Sequence, residues 1–267
     1  MPKHDRGFVA RFVQEVQARG SLTFSLDEIA ARRADHGRAL EAALRRHAAT
    51  GAIRRVTRKS GFFVIVPPEF RAMGVPPLDW WLDDYMTHLG VPYYLGLLSA
   101  AAWHGSSHFA AMESQVMAAR RLKPITVGRT RIRFFLKTRA EATPTERRGN
   151  PWGAIVVSTP EATLLDLLRY PAGGGIGRVA LIAADLAGSC RASGLKAALD
   201  AADDMPAAQR LGFLLDHLGE KALSGAIERW LSRRTIRMVD LEPDGGAPWQ
   251  VSPRWHVRIN AGMEAAT

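Results

Sequence analysis

Two clusters of cationic side chains carry the clearest chemistry in this sequence. In the first, Arg33, His36, Arg38, Arg45 and Arg46 fall on one short helical pattern and its approach, and Arg58 and Lys59 sit in the run Thr57-Arg58-Lys59-Ser60. An arginine can donate two bonds to guanine O6 and N7. A cation beside a phosphate adds affinity without reading sequence. Ala39, Leu40, Ala43 and Leu44 form an apolar face, leaving His36, Arg38 and Arg45 outward near the helix start, where base contacts fall. Arg33, Arg46, Arg58 and Lys59 are better placed for phosphates. His47 occupies a slot where an aliphatic residue is expected, and is read as half-buried.

The second cluster runs from Arg120, Arg121 and Lys123 through Arg129, Arg131, Arg133, Lys137, Arg139, Arg147 and Arg148. Arg129, Arg131 and Arg133 alternate with Thr130, Ile132 and Phe134, so on a strand they line one face. That face is a solvated one, a second nucleic-acid surface, or a dock for an acidic partner. Charge is unevenly distributed. Residues 1–66 hold 13 Lys and Arg against 6 Asp and Glu, giving +7, and residues 118–150 hold 10 against 2, giving +8. The whole chain is at +10, which leaves the remainder at −5. An Arg-rich composition explains the total but not the clustering, and two basic islands on a mildly acidic body suggest a polyanionic partner.

Catalytic patterns are weak by comparison. His104 and His108 have the spacing of a helical metal pair, but Gly105-Ser106-Ser107 between them reads as a helix end. Asp79, Asp83 and Asp84 are explained by a helix N-terminus, whose dipole favours negative charge. The loop Gly173-Gly174-Gly175-Ile176-Gly177 lacks the Lys-Ser/Thr ending of a phosphate loop. Glu161 and Asp166 have no catalytic partner in sequence, and Ser99 and Ser106 lack a nucleophile-elbow context. Cys190 is the only cysteine, which excludes an internal disulfide and a cysteine-built zinc site. No metal, cofactor or enzymatic activity is implied. No apolar signal segment follows Met1-Pro2-Lys3, and the longest apolar run, Val91 to Trp103, is too short for a bilayer. A soluble cytoplasmic protein with no membrane partner is expected.

The elements that must position the first cluster follow from periodicity. Phe8, Phe12, Val13 and Val16 mark a helix over about 6–19, stopped by Gly20. Ser25 and Glu28 have capping-box spacing for a short second helix. A third helix starts at Arg38, with Asp35 as a candidate cap, and ends near Gly51. Ala52–Val56 and Gly61–Val66 read as strands joined by a basic turn. This is the order of a winged helix-turn-helix. Residues 67–77 carry two Pro pairs and are read as a linker. Beyond it, helices are expected over 79–89 and 95–103, and strands at 113–118, 125–127, 131–136 and 154–157. A helix capped by Ser158 and Glu161 follows, burying Leu164, Leu165, Leu167 and Leu168. Four short helices to about Arg233 should then break near Ser193-Gly194, Met205-Pro206 and Leu218-Gly219, before strands at 235–241 and 255–259.

The order of these parts, the wing entry Thr50-Gly51-Ala52-Ile53-Arg54-Arg55, and three further stretches resemble one family. They are Tyr93-Tyr94-Leu95-Gly96-Leu97-Leu98-Ser99-Ala100-Ala101-Ala102-Trp103-His104-Gly105, Val157-Ser158-Thr159-Pro160-Glu161-Ala162-Thr163-Leu164-Leu165-Asp166-Leu167-Leu168, and Trp255-His256-Val257-Arg258-Ile259-Asn260. The chain resembles the AbiEi antitoxins of bacterial type IV toxin–antitoxin systems. The resemblance implies a transcriptional repressor that binds inverted repeats in its own operon and counters a nucleotidyltransferase-like toxin. His47 and the basic, insertion-like stretch around 137–150 depart from the pattern.

The expectation is therefore an α+β protein with a winged helix-turn-helix at 1–66, a linker at 67–77, and a mixed α/β domain at 78–267 ending in a small helical bundle. Its partners would be a double-stranded DNA operator and a nucleotidyltransferase-like toxin. Residue patterns leave open the oligomeric state, and also a stand-alone regulator, a protein-interaction module, or a nucleic-acid-processing enzyme with an unrecognised site.

Overall fold

The computed structural model of the chain describes residues 7–32, 37–106 and 112–263. It is mixed α+β. The N-terminal unit runs α1 (Phe8–Ala18), β1 (Thr23–Ser25), α2 (Leu26–Ala31), α3 (Arg38–Ala49), β2 (Ile53–Arg55) and β3 (Phe62–Ile65), with an antiparallel sheet in the order β1-β3-β2. Val9, Phe12 and Val16 form the buried stripe of α1. Gly20, at φ +75°, takes the left-handed conformation that ends this helix. The capping box of α2 is present: Ser25 Oγ accepts from Glu28 N, and the Glu28 carboxylate accepts from Ser25 N at 2.6 Å. Asp35, the expected cap of α3, lies outside the described residues, and Gly37 occupies the cap position with no side-chain bond.

Strand β3 is a continuous apolar run because both of its faces are covered. Phe63 and Ile65 face the helices, where Phe63 stacks on Phe24 at 5.1 Å and Phe12 meets Phe24 edge-on. Phe62 and Val64 face the opposite way, into a core shared with Val75, Trp81, Leu82, Tyr85 and Met86. The Pro-bracketed stretch 67–77 is packed rather than extended. It carries a 3-10 turn at Pro68–Phe70, Phe70 sits edge-on to Trp80 at 5.2 Å, and Trp81 Nε1 donates to Pro76 O.

The expected helix over 79–89 is a 3-10 turn (Leu78–Trp80) followed by α4 (Leu82–His88). Its acidic residues do more than face the dipole. Asp84 accepts from the Thr23 hydroxyl at 2.6 Å, tying α4 to β1, while Asp83 accepts from Tyr93 and Arg147, each at 2.9 Å.

A six-stranded sheet follows, built from β4 (Tyr93–Leu95), β5 (Ser114–Ala118), β6 (Ile125–Val127), β7 (Thr130–Leu136), β8 (Thr145–Asn150) and β9 (Gly153–Ser158), in the order β6-β7-β5-β4-β9-β8. The pairs β5/β7 and β4/β9 are parallel and the others antiparallel. Two of these strands lie beyond the sequence expectation. Tyr93–Leu95 leads into helix α5 (Leu97–Trp103), which buries Leu97, Leu98, Ala100 and Ala101, and the basic, insertion-like stretch contains the edge strand β8.

Helix α6 (Pro160–Arg169) is the centre of the bundle, with every residue from Pro160 to Leu168 buried. Its cap is Thr159, not Ser158, because Ser158 is still in β9 with its hydroxyl bonded to Thr163. Glu161 accordingly makes no capping box and accepts from Arg191 N at 2.8 Å. Around α6 lie α7 (Ile176–Ala187), α8 (Ala192–Ala202), α9 (Met205–His217) and α10 (Lys221–Leu231). The first break falls at 188–191, ahead of the expected Ser193-Gly194, and Gly194 lets α8 approach the Glu161 carboxylate closely. A small sheet of β10 (Val239–Asp240), β11 (Gln250–Ser252) and β12 (Val257–Ile259) closes the fold. No helix among the described residues is long and apolar enough to cross a membrane.

Candidate nucleic-acid interface

Helix α3 buries Leu40, Ala43 and Leu44 against α1 and the sheet. Arg38, Glu41, Arg45 and Arg46 are exposed, and His47 is half-buried. Ala39, expected inside, is exposed, so the buried stripe is narrower than its apolar residues suggest. Glu41 lies in the first turn, and Arg46 and His47 in the last, each on the end where the helix dipole favours its charge. Arg33 and His36 lie outside the described residues.

The turn between β2 and β3 presents Arg58 and Lys59 to solvent. Its base is held by Thr57 and Ser60, with Ser60 N donating to Thr57 Oγ1 and Phe62 N to Ser60 Oγ. The His88 ring lies 2.7 Å from Ser60 O through Nε2 and packs on Phe62. The tip is thus fixed to the end of α4. Arg38, Arg45, Arg46, Arg58 and Lys59 have no carboxylate partner among the described residues. Several cations elsewhere are paired, as in Arg258 with Asp240 at 2.6 Å and Arg254 with both Asp216 and Glu228.

The second basic island adjoins the first. Arg129 belongs to the turn before β7 rather than to the strand, and its N–H donates to Met73 O at 2.9 Å. Gly128 packs on Gly74, whose carbonyl accepts from Arg54 of β2 at 3.2 Å. Arg120 donates to Leu89 O beyond the end of α4. Arg131 and Arg133 are exposed on one face, with Ile132 buried on the other. Arg133 is drawn towards Glu113 at 3.4 Å and lies over the Phe135 ring, while Arg131 has no ion-pair partner among the described residues.

Arg55, absent from the cations that sequence singles out, lies over Phe63 at 5.5 Å. Strand alternation places Arg55 on the same face as buried Ile53, and a charge in that register signals the sheet margin. His104 caps α5, with Nε2 2.7 Å from Ser158 O; its metal-pair mate His108 lies outside the described residues. Asp166 is a buried structural group, accepting from Lys137 Nζ and Tyr94 Oη, each at 2.6 Å. Burial and the Asp166 charge push the Tyr94 phenol well above its ordinary range.

The class defined by this geometry is an α+β protein with an N-terminal helical unit, a small antiparallel sheet and a surface of cations that have no carboxylate partner among the described residues. Residues 94–217, from β4 to the end of α9, match the AbiEi antitoxin C-terminal domain, so this part of the chain is similar to that antitoxin family. The family is regulatory and associated with toxin–antitoxin systems. The crystal structure of the RV2827C protein from Mycobacterium tuberculosis is similar, with a TM-score of 0.64 at 17% identity over 94% of this chain and 90% of that one. At that identity the likeness is one of fold. No curated protein matches the chain in sequence.

Proposed function

We propose that the chain is a cytoplasmic DNA-binding repressor and antitoxin of the type IV kind. In this reading residues 1–66 form a winged helix-turn-helix, with α3 as the recognition helix and the β2–β3 hairpin as the wing. The element order and the antiparallel β1-β3-β2 sheet support it. The observation that carries it is the set of cations on α3 and the hairpin tip that lack carboxylate partners. Phosphates supply the missing counter-charge on binding. Arg38 and Arg45 read bases, and Arg46, Arg58 and Lys59 hold the backbone; Arg33 and His36 belong to the same approach. Arg129 and Arg131, next to the wing, extend the phosphate contacts, and Arg133 stands beside them as a contact for nucleic acid or partner.

The target is an inverted repeat in the chain's own operon. Residues 78–267 carry the neutralisation of a nucleotidyltransferase-like toxin, joined to the N-terminal unit through 67–77. The chain has no turnover of its own, so nuclease and nucleotidyltransferase assays with divalent ions stay at background. One experiment tests both roles: co-expression with the toxin of a neighbouring reading frame, beside a reporter driven by the operon promoter. The full chain restores growth and silences the reporter, whereas replacing Arg38, Arg58 and Lys59 by Ala restores growth only. Growth restored without silencing by the full chain refutes repression. Silencing without growth restored refutes neutralisation.

A further inference from the structure

At the margin of the N-terminal sheet the row Phe24–Phe63–Arg55 runs across three strands. Its inner part is covered by helices, but its outer end is not. There α2, α3 and β2 leave a slot of about 180 Å³ whose floor is Leu26, Leu44, Ala48 and Phe63. Arg45, Arg55 and Glu41 line it as well. Glu41 and Arg45 stand one helical turn apart, the spacing of a favourable pair, yet form no ion pair. Arg55 lies over the Phe63 ring and likewise has no carboxylate partner among the described residues. The slot thus joins a small apolar floor to two uncompensated guanidinium groups, with one carboxylate opposing them.

We propose that this slot is a binding site for a small aromatic monocarboxylate of one or two fused rings. The ring lies on Leu26, Leu44 and Ala48 against Phe63, removing apolar surface from water on both sides. The carboxylate bonds to Arg45 and Arg55, for which planar guanidinium is the matching donor. Two cations against Glu41 leave a single positive charge, which selects a monoanion over a dianion. The slot is smaller than a typical drug-sized pocket, which limits the ligand to such a fragment.

The consequence for regulation rests on the proposed role of α3 in DNA binding. Arg45 cannot hold a ligand carboxylate and a base edge together, so ligand and duplex compete, each lowering the affinity of the other by the same factor.

The test is a calorimetric titration of the full chain with 2-naphthoate and, separately, with 2-naphthylmethanol, its neutral counterpart. Saturable binding of the acid, at least about tenfold tighter than the alcohol, is expected from loss of the charge-assisted bonds. Arg55→Met should weaken the acid about tenfold, and Ala48→Phe, which fills the slot, should abolish binding. Equal binding of acid and alcohol, or no saturable binding, overturns the site, and this comparison on the unaltered chain decides even if a variant fails to fold. A parallel titration with duplex DNA separates the two readings. Naphthoate binding without any duplex binding supports the slot and removes the DNA role. Duplex binding without naphthoate binding overturns the slot and leaves the DNA role standing.

Discussion

A Cβ atom on Gly128 would lie 2.5 Å from the carbonyl oxygen of Met73. Gly128 also has φ +59°, so both its space and its backbone conformation exclude a side chain. This close approach brings the basic turn before β7 against the stretch that Arg54 holds from β2. Gly128→Ala should destabilise the protein by about 1–3 kcal/mol. Thermal unfolding checks this, and an unchanged midpoint would show that the turn is not held there.

Phe62 should be among the most costly residues to truncate in the N-terminal unit. It leaves the hairpin to pack on Tyr85 at 5.5 Å and His88 at 5.0 Å. Phe62→Ala should cost about 3–5 kcal/mol. Because the same core joins Val64 to Trp81 and Leu82, the full chain should unfold in one calorimetric transition. Two separated transitions would show that this shared core does not couple the units. With the single expected transition, the division of labour assigned to residues 78–267 needs a fragment that tolerates exposure of Trp81 and Leu82.

Much of this arrangement is legible in sequence wherever a local pattern has one meaning. The Ser25–Glu28 box, the stop at Gly20, the half-buried His47 and the four buried leucines of α6 are of that kind. What escapes depends on tertiary context. Strand β8, Thr-Glu-Arg-Arg-Gly-Asn, is an edge strand exposed along most of its length and so carries no apolar alternation. The choice of Thr159 over Ser158 as a cap depends on where β9 ends. The compact packing of residues 67–77 depends on Trp80 and Trp81, which lie beyond the prolines that suggest a tether. The adjacency of the two basic islands rests on a Gly–Gly approach that no linear pattern announces.

The buried Lys137–Asp166 pair should be far costlier to halve than to remove. Lys137 is 10% exposed and Asp166 2%, and Tyr94 completes the carboxylate's partners. Lys137→Met leaves Asp166 charged and short of its counter-ion, at a cost of about 3–5 kcal/mol. The double change Lys137→Met with Asp166→Leu should recover most of that loss. Chemical denaturation of the wild type, Lys137→Met, Asp166→Leu and the double variant tests this, and additive costs would contradict the coupling.

Cys190 should react slowly in the folded protein. Desolvation, with the Glu161 and Glu220 charges adding to it, pushes its thiol up to about 12. The raised value means that the thiol stays protonated in the native state at pH 8, whereas the unfolded chain forms thiolate readily. Alkylation at pH 8 should be slow until denaturant is added. Equal rates in the folded and unfolded chain would contradict this environment.

The most direct test of the account is the salt dependence of duplex binding by the full chain. Each phosphate that a variant no longer neutralises should remove about 0.9 from the slope of log K against log salt. Arg58→Ala with Lys59→Ala should weaken binding to every duplex and flatten that slope by about 1 to 2. Arg38→Ala should instead narrow the difference between operator and random sequence. A wing double variant with unaltered affinity and slope would contradict the central claim that these unpaired cations meet DNA.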